Sequence, residues 1–211
     1  MQSEAEVRLE DRTEIKTGKL ILVGGGVRSG KSQFAADYAL GLGMRRIFVA
    51  TAQAFDAEMV DRIARHRTER GEDFVTVEEP LQLARILREI VEADVVVVDC
   101  LTLWLSNLLL SGRSANDIAR AVDDVMAVLS LRRYHTLLVS NEVGMGIVPE
   151  SALGRIFRDC AGTTHQRIAS QADEVYLAAM GLVLRLLPGP VTVVRATARA
   201  GGDKASSAGS R

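Results

Sequence analysis

Residues 25–32 read GGVRSGKS, a G-x-x-x-x-G-K-[ST] run that lies between the apolar stretch LILVG (20–24) and KSQFAADYALGLG (31–43), whose apolar residues recur at helical spacing. Such a run works only as the turn between a strand and a helix. Gly25 and Gly30 permit backbone conformations and close approaches closed to other residues, so that successive N–H groups converge on phosphate oxygens. The helix that starts near Lys31 adds its positive end, Lys31 brings a point charge to the β- and γ-phosphates, and the Ser32 hydroxyl is placed for Mg²⁺. One loop thus commits the chain to an α/β layout and to a phosphorylated ligand.

The rest of the chain repeats that alternation. RIFVAT (46–51), DFVTVEE (73–79), the continuous VVVV (95–98) and TLLVS (136–140) read as strands. Helices are expected over LQLARILREIVEA after Pro80, over the apolar LTLWLSNLLLSG (101–112), over SANDIARAVDDVMAVLSLRR and over about 151–172. EVYLAAMGLVLRLL reads as two short strands turning near Gly181, and a run of four valines points to a strand covered on both faces. The order predicts a mainly parallel sheet flanked by helices in one catalytic domain, 19–187, with an N-terminal extension, 1–18, and a small polar tail, 188–211, in which VTVVR (191–195) could add an edge strand. At 211 residues and 47% apolar content the chain can bury a full core. Lys and Arg (26) nearly balance Asp and Glu (27), which argues against general binding of nucleic acid or membrane surface and leaves anion binding to local sites. With no apolar leader core and no run long enough to span a bilayer, a cytoplasmic location is expected. Cys100 and Cys160 lack metal-ligand or disulfide spacing and read as buried or half-buried thiols.

Two further features suggest chemistry. Asp99 ends the valine strand, where a phosphate-loop protein places the carboxylate that orients Mg²⁺; it could equally cap the following helix. In RIARHRTER (62–70), a helix would set Arg62, His66 and Arg70 on one face. Neighbouring positive charge disfavours protonation, so His66 is expected to stay neutral with a ring nitrogen able to attack phosphorus. A solvated basic face is the competing reading, and spacing alone leaves both open.

Four segments, GGVRSGKS, ATAQAFDAEMVDRIARHR, VVVVDCLTLWLSNLL and LVSNEVGMGIVPESALGRIFRDCAGTTHQRIASQADEVYL, together resemble the bifunctional adenosylcobinamide kinase/adenosylcobinamide-phosphate guanylyltransferase family of cobalamin biosynthesis. The resemblance covers roughly 20–187 and implies a RecA-like P-loop fold, commonly a homotrimer. It implies two reactions: phosphorylation of adenosylcobinamide by ATP or GTP, then GMP transfer from GTP to adenosylcobinamide phosphate through a guanylylated histidine, with release of pyrophosphate. His66 occupies the position of that histidine. Gly24, Gly25, Gly26, Val27, Arg28, Ser29, Gly30, Lys31 and Ser32 match the triphosphate loop. Thr51, Ala52 and Gln53 match a further nucleotide-contacting segment, with Ala52 where Ser is usual; Arg67, Thr68, Glu69 and Arg70 align with a GTP-contacting loop of different wording. Glu78 and Asp99 match acidic positions associated with nucleotide or metal, and Asn141 and Glu142 fall in the family's NEVG block.

The remaining conspicuous residues read as structural. Leu101, Trp104, Leu105 and Leu108 form a core-facing stripe, and His135 and His165 lack ligand-like neighbours in sequence. Arg155, Arg158 and Arg167 fit a solvated helix face better than a contact with a phosphate or with a neighbouring subunit.

Overall fold

The structure, a computed structural model, describes residues 18–53 and 72–190. Strands β1 (Leu20–Gly25), β2 (Arg46–Ala50), β3 (Val75–Glu78), β4 (Val95–Asp99), β5 (His135–Asn141), β6 (Glu174–Ala179) and β7 (Leu182–Leu187) form a single sheet in the order β3-β2-β4-β5-β1-β6-β7. Every pairing is parallel except β6 with β7. The helices are α1 (Lys31–Leu40), α2 (Leu83–Glu89), α3 (Leu101–Leu110), α4 (Ala115–Leu129) and α5 (Ala152–Ala169).

Strand periodicity divides the core in two. In β1, Leu20 and Leu22 face one way and Ile21 and Val23 the other; in β4 the split is Val96 and Val98 against Val95 and Val97. All four valines are fully buried, which is what an unalternating apolar run in a two-sided sheet requires. One face takes α2, α3, α4 and α5 through Leu87, Trp104, Val122 and Ile168 among others, and the second takes α1 through Ala35 and Ala39. The stripe Leu101, Trp104, Leu105 and Leu108 lies in the first of these cores, with the Trp104 indole N–H donating to the Leu81 carbonyl at 3.0 Å. Burying each such side chain contributes on the order of 2 kcal/mol.

Local chemistry sets the helix ends. Ser114 caps α4 in a reciprocal box, its hydroxyl accepting the Asp117 amide while the Asp117 carboxylate accepts the Ser114 N–H. Sequence placed the start of α2 at Pro80, but the helix begins at Leu83. The Glu79 carboxylate accepts the amides of Leu81 and Gln82, and this non-helical turn delays the first helical residue. Between β6 and β7 the chain reverses through Met180 and Gly181, both at positive φ (53° and 77°), the geometry of a type I′ hairpin turn. At the opposite edge, the Glu174 carboxylate accepts from Lys19, Tyr38 and Tyr176, while Phe34, Tyr38 and Tyr176 pack as tilted rings with centroids 5.0–5.7 Å apart. These contacts bind α1 to β6 and so fix the helix that follows the phosphate loop.

The layout is the expected RecA-like one: a mainly parallel sheet flanked by helices, a C-terminal antiparallel strand, and one strand, β5, between the phosphate-loop strand β1 and the Asp99 strand β4. The extension 1–17, the segment 54–71 and the tail from 191, including VTVVR, lie outside the described residues.

Candidate active site

Strand β1 ends at Gly25, and a Cβ there would lie 2.4 Å from the Ala178 carbonyl oxygen and 2.8 Å from Ser29 Oγ. Only glycine lets β1 turn this close to β6. Five residues later Gly30 takes the left-handed conformation (φ 91°) and becomes the N-cap of α1, with no side chain on the helix's first amides. Arg28 is also left-handed, at φ 55°. Those open amides and the helix dipole face the loop, where an anion is stabilised. Lys31, only 8% exposed, curls back so that Nζ donates to the Gly26 carbonyl at 3.2 Å, while Ser32 is half-buried one position along.

The parallel sheet brings Glu78, Asp99 and Asn141 to the same edge. Gly25 pairs in register with Asn141, Ala50 with both Asp99 and Glu78, and Asp99 with Val139, so the loops after β1, β2, β4 and β5 all leave from one side. Ligands gather at that side in open α/β sheets. The Glu142 amide donates to the Gly25 carbonyl at 2.9 Å, tying the loop after β5 to the root of the phosphate loop. The Glu142 carboxylate in turn accepts the Gly144 and Met145 amides.

Thr51, expected to contact nucleotide, is fully buried: its hydroxyl donates to the Cys100 carbonyl (2.8 Å) and accepts the Cys100 amide (2.9 Å). Its own carbonyl accepts from Asn107 Nδ2. Thr51 therefore clamps β2 to the Asp99–Cys100 corner, and Ala52 and Gln53 are the half-buried residues of that segment. Glu78 is exposed at the end of β3, whereas its neighbour Glu79 is buried and bonded to Arg85 at 2.8 Å. Burial pushes the Glu79 carboxyl upward, but the Gln82 and Leu81 amides and Arg85 outweigh it and hold it below the ordinary value.

The corner after β4 holds polar groups whose role sequence reasoning missed. α3 takes Cys100 as its N-cap; Cys100 Sγ lies 3.2 Å from the Thr102 hydroxyl, which accepts from Asn141 Nδ2 at 3.1 Å. The cue was present in DCLTLWLSN, where Thr102 and Asn107 interrupt an otherwise apolar run. Burial, and next the Asp99 carboxylate, push the Cys100 thiol upward, while Thr102, the Leu103 amide and Lys31 pull the other way. The charges of Asp99 and Lys31 thus both act on the Cys100 thiol. Among the described residues no group of three or more His, Cys, Asp or Glu could hold a metal by itself. A hydroxyl and a carboxylate, Ser32 and Asp99, suit instead a magnesium ion that arrives on phosphates and keeps most of its water.

Of the residues set aside as structural, Arg158 is half-buried with its Nη1 lacking a hydrogen-bond partner, and the others are engaged elsewhere. His165 Nε2 lies 2.6 Å from the buried Ser140 hydroxyl, His135 Nδ1 accepts the Lys19 amide, Arg155 caps the carbonyls of Pro149 and Glu150, and Arg167 pairs with Asp123. His66 and Arg67, Thr68, Glu69 and Arg70 lie outside the described residues.

Comparison with known proteins decides what such an edge belongs to. Residues 21–186 match the family model described as cobinamide kinase / cobinamide phosphate guanyltransferase. The chain belongs to that family. It is 43% identical over 174 residues to the bifunctional adenosylcobalamin biosynthesis protein CobP of Pseudomonas aeruginosa, covering 81% of this chain and 98% of that one. It is 37% identical over 180 residues to the bifunctional adenosylcobalamin biosynthesis proteins CobU of Salmonella typhimurium and of Escherichia coli, each match covering 79% of this chain and 99% of the relative. The crystal structure of the RadB recombinase aligns over 77% of this chain and 74% of its own at 15% identity and a TM-score of 0.45. In this member of the cobinamide kinase family, the glycine-rich turn 25–32 and the strand-terminal Asp99 lie on one margin of the sheet.

Proposed function

We propose that this chain is a bifunctional enzyme of cobalamin biosynthesis. In the first reaction it phosphorylates adenosylcobinamide with ATP or GTP; in the second it transfers GMP from GTP to adenosylcobinamide phosphate, yielding adenosylcobinamide-GDP and pyrophosphate. The observation that carries this reading is the family match over 21–186, to which the cradle at Gly25–Ser32 adds the chemistry. In the first reaction the loop amides and Lys31 neutralise charge growing on the phosphates as the γ-phosphoryl moves to the substrate hydroxyl. Ser32 and Asp99 would hold a Mg²⁺ ion, which would supply further neutralisation of the phosphate oxygens. Gly24, Gly26, Val27, Arg28 and Ser29 complete the cradle, and Ala52, Gln53 and Glu78 line the nucleotide's path with the segment of Thr51.

In the second reaction a neutral His66 attacks the α-phosphorus of GTP, pyrophosphate leaves toward the cradle, and the corrinoid phosphate takes GMP from the imidazole. Arg67 to Arg70 steady the nucleotide. A covalent intermediate divides a displacement between two anions into two steps, the first made by an uncharged nucleophile. The enzyme works in the cytoplasm as a homotrimer on this reading; among the described residues no helix is long and apolar enough to cross a membrane.

Intact mass after incubation with GTP and Mg²⁺, followed by peptide mapping, tests the assignment. An acid-labile GMP adduct on the 62–70 peptide is expected, and H66A is expected to lose the adduct while still phosphorylating cobinamide. Unmodified wild-type protein under conditions of turnover would reduce the chain to a simple P-loop kinase.

A further inference from the structure

Three loops leave the carboxyl edge of the sheet side by side, after the adjacent strands β5, β1 and β6. Each ends its strand in apolar side chains that face solvent. Val27 projects from the phosphate loop; Met145, Ile147 and Val148 from the loop after β5; Met180 and Leu182 from the β6–β7 hairpin. Ile147 is 96% and Met180 98% exposed. Isolated apolar residues on a surface need no explanation, but a cluster on three neighbouring loops does. The backbone sharpens the point at Met180, which takes a left-handed conformation (φ 53°) in a turn whose central positions favour Asn, Asp or Gly. Neither folding nor turn chemistry asks for methionine there.

Resting on the kinase and guanylyltransferase reading, we propose that these side chains form an apolar collar around the phosphate cradle on which the corrinoid macrocycle of the acceptor docks. The Gly25–Ser32 loop fixes the donor phosphates, and transfer requires the acceptor oxygen within about 3–3.5 Å of the reacting phosphorus. A macrocycle carrying that oxygen on a short arm must then cover the loops that flank the cradle. The flanking loops are the apolar ones: the Glu142 amide bonds the Gly25 carbonyl, and Gly25 pairs with Ala178 near the end of β6. Two of the six collar residues are methionines, whose unbranched thioethers adapt to the uneven, methyl-studded rim of a corrin. A second copy of the chain seated permanently on the same loops would close the acceptor's approach to the cradle, which is why the occupant is assigned as substrate. Exposed Arg28, next to Val27, suits the phosphate that the acceptor carries in the second reaction.

The test is spectral titration with cobinamide, whose own absorbance reports binding without turnover, alongside initial rates and the solution mass of each variant. I147S, M180S and L182S are expected to weaken cobinamide binding tenfold or more and to raise its KM, with KM for GTP, melting temperature and oligomeric mass unchanged. M44S and V91S alter exposed apolar residues that precede β2 and β4 at the opposite edge, and are expected to bind cobinamide like wild type. The collar assignment is overturned if its three variants bind cobinamide normally, if the control variants weaken binding equally, or if the collar variants dissociate the oligomer, which would make the patch a subunit contact. Wild-type protein that binds cobinamide through the collar yet transfers neither phosphoryl nor GMP would retain the collar and defeat the enzymatic reading. Turnover with unaffected collar variants would do the reverse.

Discussion

Lys31 illustrates how a fold can hold a single charged side chain in a fixed place. Its ammonium is drawn under the loop to within 3.2 Å of the Gly26 carbonyl, in a position only 8% exposed, where its charge is felt more strongly than in water. K31A should lower kcat for phosphoryl transfer by about 10²–10³, the effect of removing one preorganised charge-stabilising group, with the far-UV spectrum unchanged. His165 makes a different use of burial. Burial holds its imidazole below the usual histidine value, against a smaller opposing effect of Glu142. Between that depressed value and the ordinary value near 6.5, the unfolded chain binds the proton more readily than the folded one, so stability rises with pH through this window. The contribution is complete above about 6.5 and is lost as the pH falls toward the folded-state value. Urea midpoints measured across pH 5–8 should show this slope in wild type and a flatter one in H165N, which keeps a hydrogen-bonding partner for Ser140. Sequence dismissed this histidine for want of neighbours; its partner is 25 residues away on β5, beyond the reach of any local pattern.

Among the elements, α4 shows how much of its start is local. The Ser114–Asp117 box is written in four consecutive residues, and Arg120 adds an ion pair to Asp117. Hydrogen bonds from the Ser114 hydroxyl, then the Arg120 guanidinium, hold the Asp117 carboxyl down at about 2. S114A should cost about 1 kcal/mol, a fall of roughly 2–4 °C in melting temperature for a chain of this size. The turn from β1 into the phosphate loop depends on a distant element instead. G25A places a methyl 2.4 Å from the Ala178 carbonyl oxygen, about an ångström inside ordinary contact distance. It should destabilise the fold by about 1–3 kcal/mol and abolish nucleotide-induced thermal stabilisation, read in the same melting experiment. Helix α2 sits between these cases: its apolar spacing was legible, while its start was moved by Glu79, whose buried carboxylate accepts the Leu81 and Gln82 amides.

At the scale of the whole molecule, two cores separated by one sheet leave the ligand edge to be built by loops from four strands. That edge ties together elements far apart in sequence, since Thr51, Cys100, Thr102 and Asn141 are joined by side-chain hydrogen bonds. Mg²⁺-GTP at a hundredfold excess over its dissociation constant should add about 2.7 kcal/mol of stability, a rise of several degrees in a thermal shift assay. D99N should lose most of that rise in the presence of Mg²⁺ while leaving the metal-free response to GTP intact.

By itself the sequence determined the phosphate loop, the α/β alternation, the two-sided burial of the valine strand and the catalytic family. Each of these is written in neighbouring residues, either as a spacing set by strand or helix geometry or as a motif whose atoms must meet one ligand. The tertiary structure alone decided that Thr51 turns inward to clamp the Asp99 corner, that Glu79 rather than Glu78 is the buried carboxylate, and that exposed apolar side chains gather on loops that follow three adjacent strands. Those facts depend on which strands become neighbours, and strand order is fixed by the sum of packing over both faces of the sheet, a quantity that no short stretch of residues contains.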